Sequence, residues 1–127
     1  MKLYLIVTLG SGIGGLLRYI ISDYIYKYSS SLFPYGTLTV NVVGSFLLGL
    51  ILFYLDSLKL ISAEMRLFLT IGLCGGLTTF STFSYETVKL IQDSQYLIAG
   101  TNILLNVFVT ILAVLLAAFI SKLLIGG

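Results

Sequence analysis

The sequence predicts an all-α integral membrane protein with four transmembrane helices, the third of them broken mid-membrane. Three observations carry this. The chain of 127 residues is 58% apolar and 9% charged, with a mean hydropathy of +1.09; a soluble domain of this length cannot hide so much apolar surface. The few charges divide it into apolar runs, each near the ~20 residues a helix needs to cross a bilayer. Within the third run, residues 72–84 read GLCGGLTTFSTFS, too rich in glycine and hydroxyls for an uninterrupted apolar helix.

Taken in order, span one covers about 3–26, between Lys2 and Lys27. Span two, about 35–55, lies in the uncharged run 28–55 and follows a turn signal, Ser29-Ser30-Ser31 leading to Pro34 and Gly36. Span three, about 63–91, contains the uncharged run 67–85. Span four, about 96–122, lies in the uncharged run 94–121. The connections around 29–35, 56–62 and 92–95 are short, so residues 1–127 read as one four-span membrane domain. The first span is too long, and lacks the A-x-A site, for a cleaved leader. Cys74 is the single cysteine and no histidine is present. That excludes an internal disulfide, His-based zinc sites and His-based catalysis; no enzyme and no nucleic-acid partner are expected.

With four spans, Lys2, Lys59, Arg66 and Lys122 fall on one side and Arg18, Lys27 and Lys89 on the other. Four against three is almost no bias under the positive-inside rule. Either orientation turns on one or two residues, or the chain inserts both ways and pairs with an inverted copy. Four helices alone offer few walls for a pathway, which favours a homo-oligomer, with a two-fold dimer the commonest closed form. Gly10 and Gly14, Ser45 and Gly49, and Gly72 and Gly76 are small-xxx-small pairs that let helix backbones approach closely; they name no partner.

Two polar stripes cross the spans. Thr37, Asn41 and Ser45 are spaced by four, as are Asn102, Asn106 and Thr110, so each trio lies along one helix face. Singly, such residues read as interhelical hydrogen-bond glue worth about 0.6–2 kcal/mol each. Two stripes beside a polar break point instead to a path. Amides and hydroxyls donate without charge, and no acid sits at a span centre, so the path suits a neutral solute or an anion rather than a cation.

In the third span Gly75 and Gly76 loosen the helix, and Thr78, Thr79, Ser81, Thr82 and Ser84 can bond the freed backbone. Irregular backbone at membrane depth is tolerated only when buried in protein or lining a wet cavity. Phe80 and Phe83, three apart, are ordinary core residues unless a small hard anion meets their positive ring edges. The helix restarting there points its positive N-terminal end inward. Carbonyls of Gly75 and Thr78, doubled by a symmetry mate, can form a cage for a monovalent cation, or be satisfied by hydroxyls or water. Arg18 either snorkels to the interface or makes a vestibule positive. Glu86 either pairs with Lys89 or sits at a path mouth. Tyr24, Tyr26, Tyr28, Tyr54 and Tyr96 read as aromatic-belt residues near span ends.

These motifs resemble the Fluc (CrcB-type) fluoride channels of bacteria and archaea. Residues 14–18 look like that family's G-x-x-x-R, residues 36–49 (GTLTVNVVGSFLLG) like its span-two signature, and residues 72–84 like its broken third span almost letter for letter. The resemblance implies an antiparallel dual-topology homodimer in the plasma (inner) membrane, multi-pass, with two pores for passive fluoride export. It implies pore roles for Asn41, Phe80, Phe83, Ser81 and Thr82, a polar track of Asn102, Asn106 and Thr110, vestibule positions for Arg18 and Glu86, and a structural sodium ion on the Gly75 and Thr78 carbonyls. The sequence departs from the family's hydroxyl-rich track at its two asparagines and at apolar Val114.

The main rival is a small dual-topology, proton-coupled multidrug exporter, which depends on a membrane-embedded Glu in the first span. Here span one carries Arg18, with Asp23 only near its end. A non-transporting assembly subunit explains the glycine pairs but not the asparagine stripes. A fluoride/proton antiporter needs a titrating group on the path, and Glu86 is the one nearby candidate.

Overall fold

The computed structural model describes residues 1–127 and consists of helices and short turns. Helix α1 is Lys2–Tyr28 and α2 is Tyr35–Asp56. Residues 63–77 form α3, Phe80–Gln92 forms α4 and Tyr96–Gly126 forms α5. Helices α1, α2 and α5, and the run Ala63–Gln92 made by α3 with α4, are each long and apolar enough to cross a membrane. Local chemistry sets several boundaries. Pro34, unable to donate a backbone hydrogen bond, stands immediately before α2. Ser62 caps α3, its hydroxyl accepting the Met65 amide at 3.1 Å. Lys59 (φ 56°) and Ser94 (φ 59°) take left-handed conformations that close the two tight connections.

Named contacts define an up-down-up-down order. Lys2 meets Glu64 at 3.1 Å and Arg66 meets Asp56 at 3.3 Å, gathering the starts of α1 and α3 with the end of α2. Gly49 packs on Ala117, which brings the far half of α5 to the same end. At the opposite end Tyr26, Thr37 and Glu86 meet.

The glycine pairs of the first and third spans turn out to be partners of one another. A Cβ on Gly10 would lie 2.6 Å from the Phe68 carbonyl oxygen and 2.9 Å from Gly72 Cα. One on Gly76 would lie 2.5 Å from the Ser11 carbonyl oxygen, and one on Gly14 would strike the Leu73 carbonyl. Backbone therefore lies against backbone, which only glycine permits. Residues Phe68–Cys74, in the middle of this contact, are wound in wide π-helical turns. Between α2 and α5 the fit is again close, a Cβ on Gly49 falling 2.7 Å from Ala117 Cβ.

The helical ladder stops at Thr78 (φ −86°, ψ 156°) and Thr79 (φ −152°, ψ 118°), two extended residues between α3 and α4. The loosening expected at Gly75 and Gly76 is thus displaced by three residues. Gly75 is still helical (φ −63°, ψ −38°), and Gly76 serves the approach of α1. Only 23 of 127 residues are buried, so most apolar side chains are left for lipid or another protein surface to cover.

Candidate functional site

The interruption is held from α2. Asn41 Oδ1 accepts the Thr79 amide at 2.7 Å and Asn41 Nδ2 donates to the Thr79 carbonyl at 3.1 Å, so one side-chain amide stands in for a missing strand partner. Thr79 in turn caps α4, its hydroxyl accepting the Thr82 amide at 3.1 Å. Each bond redirects a donor. In a continuous helix the Thr79 amide would return to the Gly75 carbonyl and the Thr82 amide to the Thr78 carbonyl. Both carbonyls therefore lose their helical donors, and they are the two singled out from the sequence. The reason differs in one respect: the Gly75 backbone is not itself unwound.

Two grooves meet at this point. The larger, about 440 Å³, is lined by Asn41, Ser45, Gly75, Thr78, Thr79, Phe80, Phe83, Asn106 and Thr110 among others. Phe80 and Phe83 form an edge-on pair, ring centroids 5.3 Å apart and planes at 62°. Their settings differ sharply, Phe83 being 6% exposed and Phe80 75%. One wall of the groove is thus open at the protein surface. Thr110 returns its hydroxyl proton to the Asn106 carbonyl of its own helix.

The smaller cleft, about 240 Å³, lies on the other side of Thr79 and contains Arg18, Tyr26, Thr37, Thr82 and Glu86. The two proposed vestibule residues share it. Glu86 Oε1 accepts the Tyr26 hydroxyl at 2.9 Å and the Thr37 hydroxyl at 2.8 Å, while Oε2 is buried without a protein partner. The alternative pairing of Glu86 with Lys89 does not form: Lys89 reaches Asp93 at 3.2 Å. Tyr26, read from the sequence as a belt residue, turns its hydroxyl into the cleft instead, because Gly36 lets its ring lie against the start of α2.

Of the remaining residues, Ser81 stands next to the cap, its hydroxyl 3.2 Å from that of Thr79, and lines neither groove. Asn106 borders the larger groove and is bonded to Asn41 at 2.9 Å. Asn102 is fully buried, at 0% exposure, and ties α5 to Thr87 of α4 at 2.9 Å. Thr87 and Tyr26 are the members that sequence reasoning passed over. Thr87 lies one residue after Glu86, but nothing local marks it as facing α5.

The fold and these grooves define a four-span membrane protein that builds its polar interior around an interrupted helix. The chain belongs to the CrcB-like family: the family model described as "CrcB-like protein, Camphor Resistance (CrcB)" matches residues 5–118. It is 50% identical over 103 residues to the fluoride-specific ion channel FluC of Geobacter metallireducens, covering 81% of this chain and 83% of that protein. It is 46% identical over 127 residues to the protein of the same name from Pelobacter propionicus, covering 100% and 98%. The one from Pyrococcus abyssi is 44% identical over 122 residues, covering 96% and 98%.

Proposed function

We propose that this protein is a fluoride-selective ion channel, not an enzyme, that lowers cytoplasmic fluoride by passive electrogenic export across the cell membrane. The observation that carries the reading is the larger groove, where Asn41, Phe80, Phe83, Asn106 and Thr110 converge on the interruption; the printed names of the relatives point the same way. Fluoride is small and strongly hydrated. A narrow route edged by positive ring rims and uncharged donors compensates its lost water better than that of a larger halide. The N-terminal end of α4 adds positive potential. The hydroxyls of Ser81 and Thr82 stand near the break, beside the Thr79 cap; Asn102 backs the track, and Arg18 with Glu86 forms a vestibule in the smaller cleft.

The exposure of Phe80 supports a second copy. An antiparallel, dual-topology homodimer would cover the open wall of each groove and make two pores, with the interruption at mid-membrane. It would also bring together the Gly75 and Thr78 carbonyls of both copies. These residues fit a structural sodium ion, since each carbonyl has lost its helical donor to Asn41 or to the Thr79 cap and hard oxygen donors suit a hard cation. When bound, sodium would supply positive charge that ties the copies together.

The deciding experiment is fluoride efflux from liposomes carrying the purified protein, started with valinomycin and followed with a fluoride electrode. Fast release of fluoride, absent with chloride, is the expected result. No release, or release only under an imposed proton gradient, overturns the channel reading.

A further inference from the structure

All three asparagines of the chain and both ends of the first two turns of α4 belong to one hydrogen-bond chain whose donors run in a single direction. The Thr79 amide donates to Asn41 Oδ1 at 2.7 Å, and Asn41 Nδ2 donates to Asn106 Oδ1 at 2.9 Å. Asn106 Nδ2 donates to Asn102 Oδ1 at 2.8 Å, and Asn102 Nδ2 to Thr87 Oγ1 at 2.9 Å. The Thr87 hydroxyl ends the series on the Phe83 carbonyl at 2.8 Å. The chain leaves α4 at its cap, crosses α2 and α5, and returns to α4 eight residues on. Asn41, Asn102, Asn106 and Thr87 are all buried, so water does not readily replace a member.

The direction is fixed from both ends. At the near end Asn41 also donates to the Thr79 carbonyl at 3.1 Å, and Asn106 Nδ2 also donates to the Asn102 carbonyl at 3.0 Å. At the far end a carbonyl only accepts, so the single proton of Thr87 is committed to Phe83 and its oxygen is left as an acceptor. Asn102 must then turn its NH₂ to Thr87 and its oxygen to Asn106. Asn106 turns its oxygen to Asn41, and Asn41 turns its oxygen to the Thr79 amide. An amide has one donor end and one acceptor end, so the three side chains agree in direction between Thr87 and the interruption, and each bond braces the next.

We propose that Thr87 and Asn102 are positioning residues: through Asn106 they brace the Asn41 amide that holds Thr79 extended. Neither lines either groove. With the acceptor at Thr87 removed, the buried Asn102 NH₂ loses its partner, and the series is held only from the Thr79 end and by the Asn102 carbonyl, so the grip of Asn41 on Thr79 loosens.

The test is hydrogen exchange at the Thr79 backbone amide in the full-length protein, comparing wild type with Thr87→Val and Thr87→Ser. Thr87→Val, nearly isosteric, should speed exchange at Thr79 by about tenfold to a hundredfold while the α1 amides near Gly10 keep their wild-type rates. Thr87→Ser, which retains the hydroxyl, should restore protection. Unchanged exchange at Thr79 in folded Thr87→Val overturns the proposal. If protection is lost in α1 too, the variant has unfolded, and the wild-type side-chain amides decide. Those of Asn41 and Asn106 should exchange at least about tenfold more slowly than that of exposed Gln92, and equal rates overturn the proposal. This readout does not depend on what crosses the membrane, so a wild-type protein without fluoride flux leaves it standing. A matching fall in flux, rescued by Thr87→Ser, rests on the channel reading.

Discussion

Replacing Gly10 with alanine tests the α1–α3 contact against a control two residues away. A Cβ on Gly10 would sit 2.6 Å from the Phe68 carbonyl oxygen, 2.9 Å from Gly72 Cα and 3.2 Å from the Leu73 nitrogen, all backbone atoms with no rotamer to escape into. Bringing the first of these contacts to an ordinary 3.4 Å requires the helices to part by about 0.8 Å. A gap of that size forfeits roughly a quarter to a half of the dispersion energy along the contact, and overpacking of this kind costs about 1–3 kcal/mol. Gly12 lies on the same helix with nothing within 4 Å of its Cβ position. Both substitutions gain the same helix propensity, about 0.5–1 kcal/mol, so their difference isolates the contact. Gly10→Ala should therefore be about 1–3 kcal/mol less stable than Gly12→Ala, measured by reversible unfolding in mixed micelles. Equal stability of the two variants refutes backbone-to-backbone packing at this site.

Three further outcomes bear on the channel reading. Phe80→Ile should cut fluoride efflux while cross-linking still reports the proposed dimer, because it removes the ring edge and leaves an apolar side chain of similar bulk; wild-type flux would take the ring out of the path. Asn41→Asp is nearly isosteric but replaces the donor facing the Thr79 carbonyl at 3.1 Å and Asn106 Oδ1 at 2.9 Å with an acceptor. Each acceptor left unsatisfied costs about 1–3 kcal/mol, and the added negative charge should suppress efflux at least about tenfold, a loss of about 1.4 kcal/mol at the barrier; flux at the wild-type level would remove Asn41 from the pathway. Exchanging sodium for a large organic cation should weaken dimerisation measured by sedimentation, since the Gly75 and Thr78 carbonyls of two copies would then face one another without a cation; an unchanged dimer affinity would leave that cage to water.

Much of the architecture was legible because it is written in local rules. Charge spacing and hydropathy delimit four spans, and steps of four put Asn41 on one helix face and Asn106 on another. Composition marks residues 72–84 as unfit for a plain apolar helix, and the motifs there match the family to which the chain belongs. What these rules lack is the register between helices. Gly10 and Gly72 were visible as packing residues, but not as each other's partners. Gly75 and Gly76 looked like the weak point of the helix, yet the extended residues are Thr78 and Thr79. Thr79 finds both its amide and its carbonyl matched by Asn41, 38 positions away, while Gly76 is held helical against α1. The partners of Glu86 were equally hidden, because Lys89 is close in sequence whereas Tyr26 and Thr37 become close only when α1, α2 and α4 converge. Periodicity states which face a residue occupies and its chemistry states what it can bond. Which bond forms is decided by a distance of a few ångströms between helices, and that distance exists only once the backbones have packed.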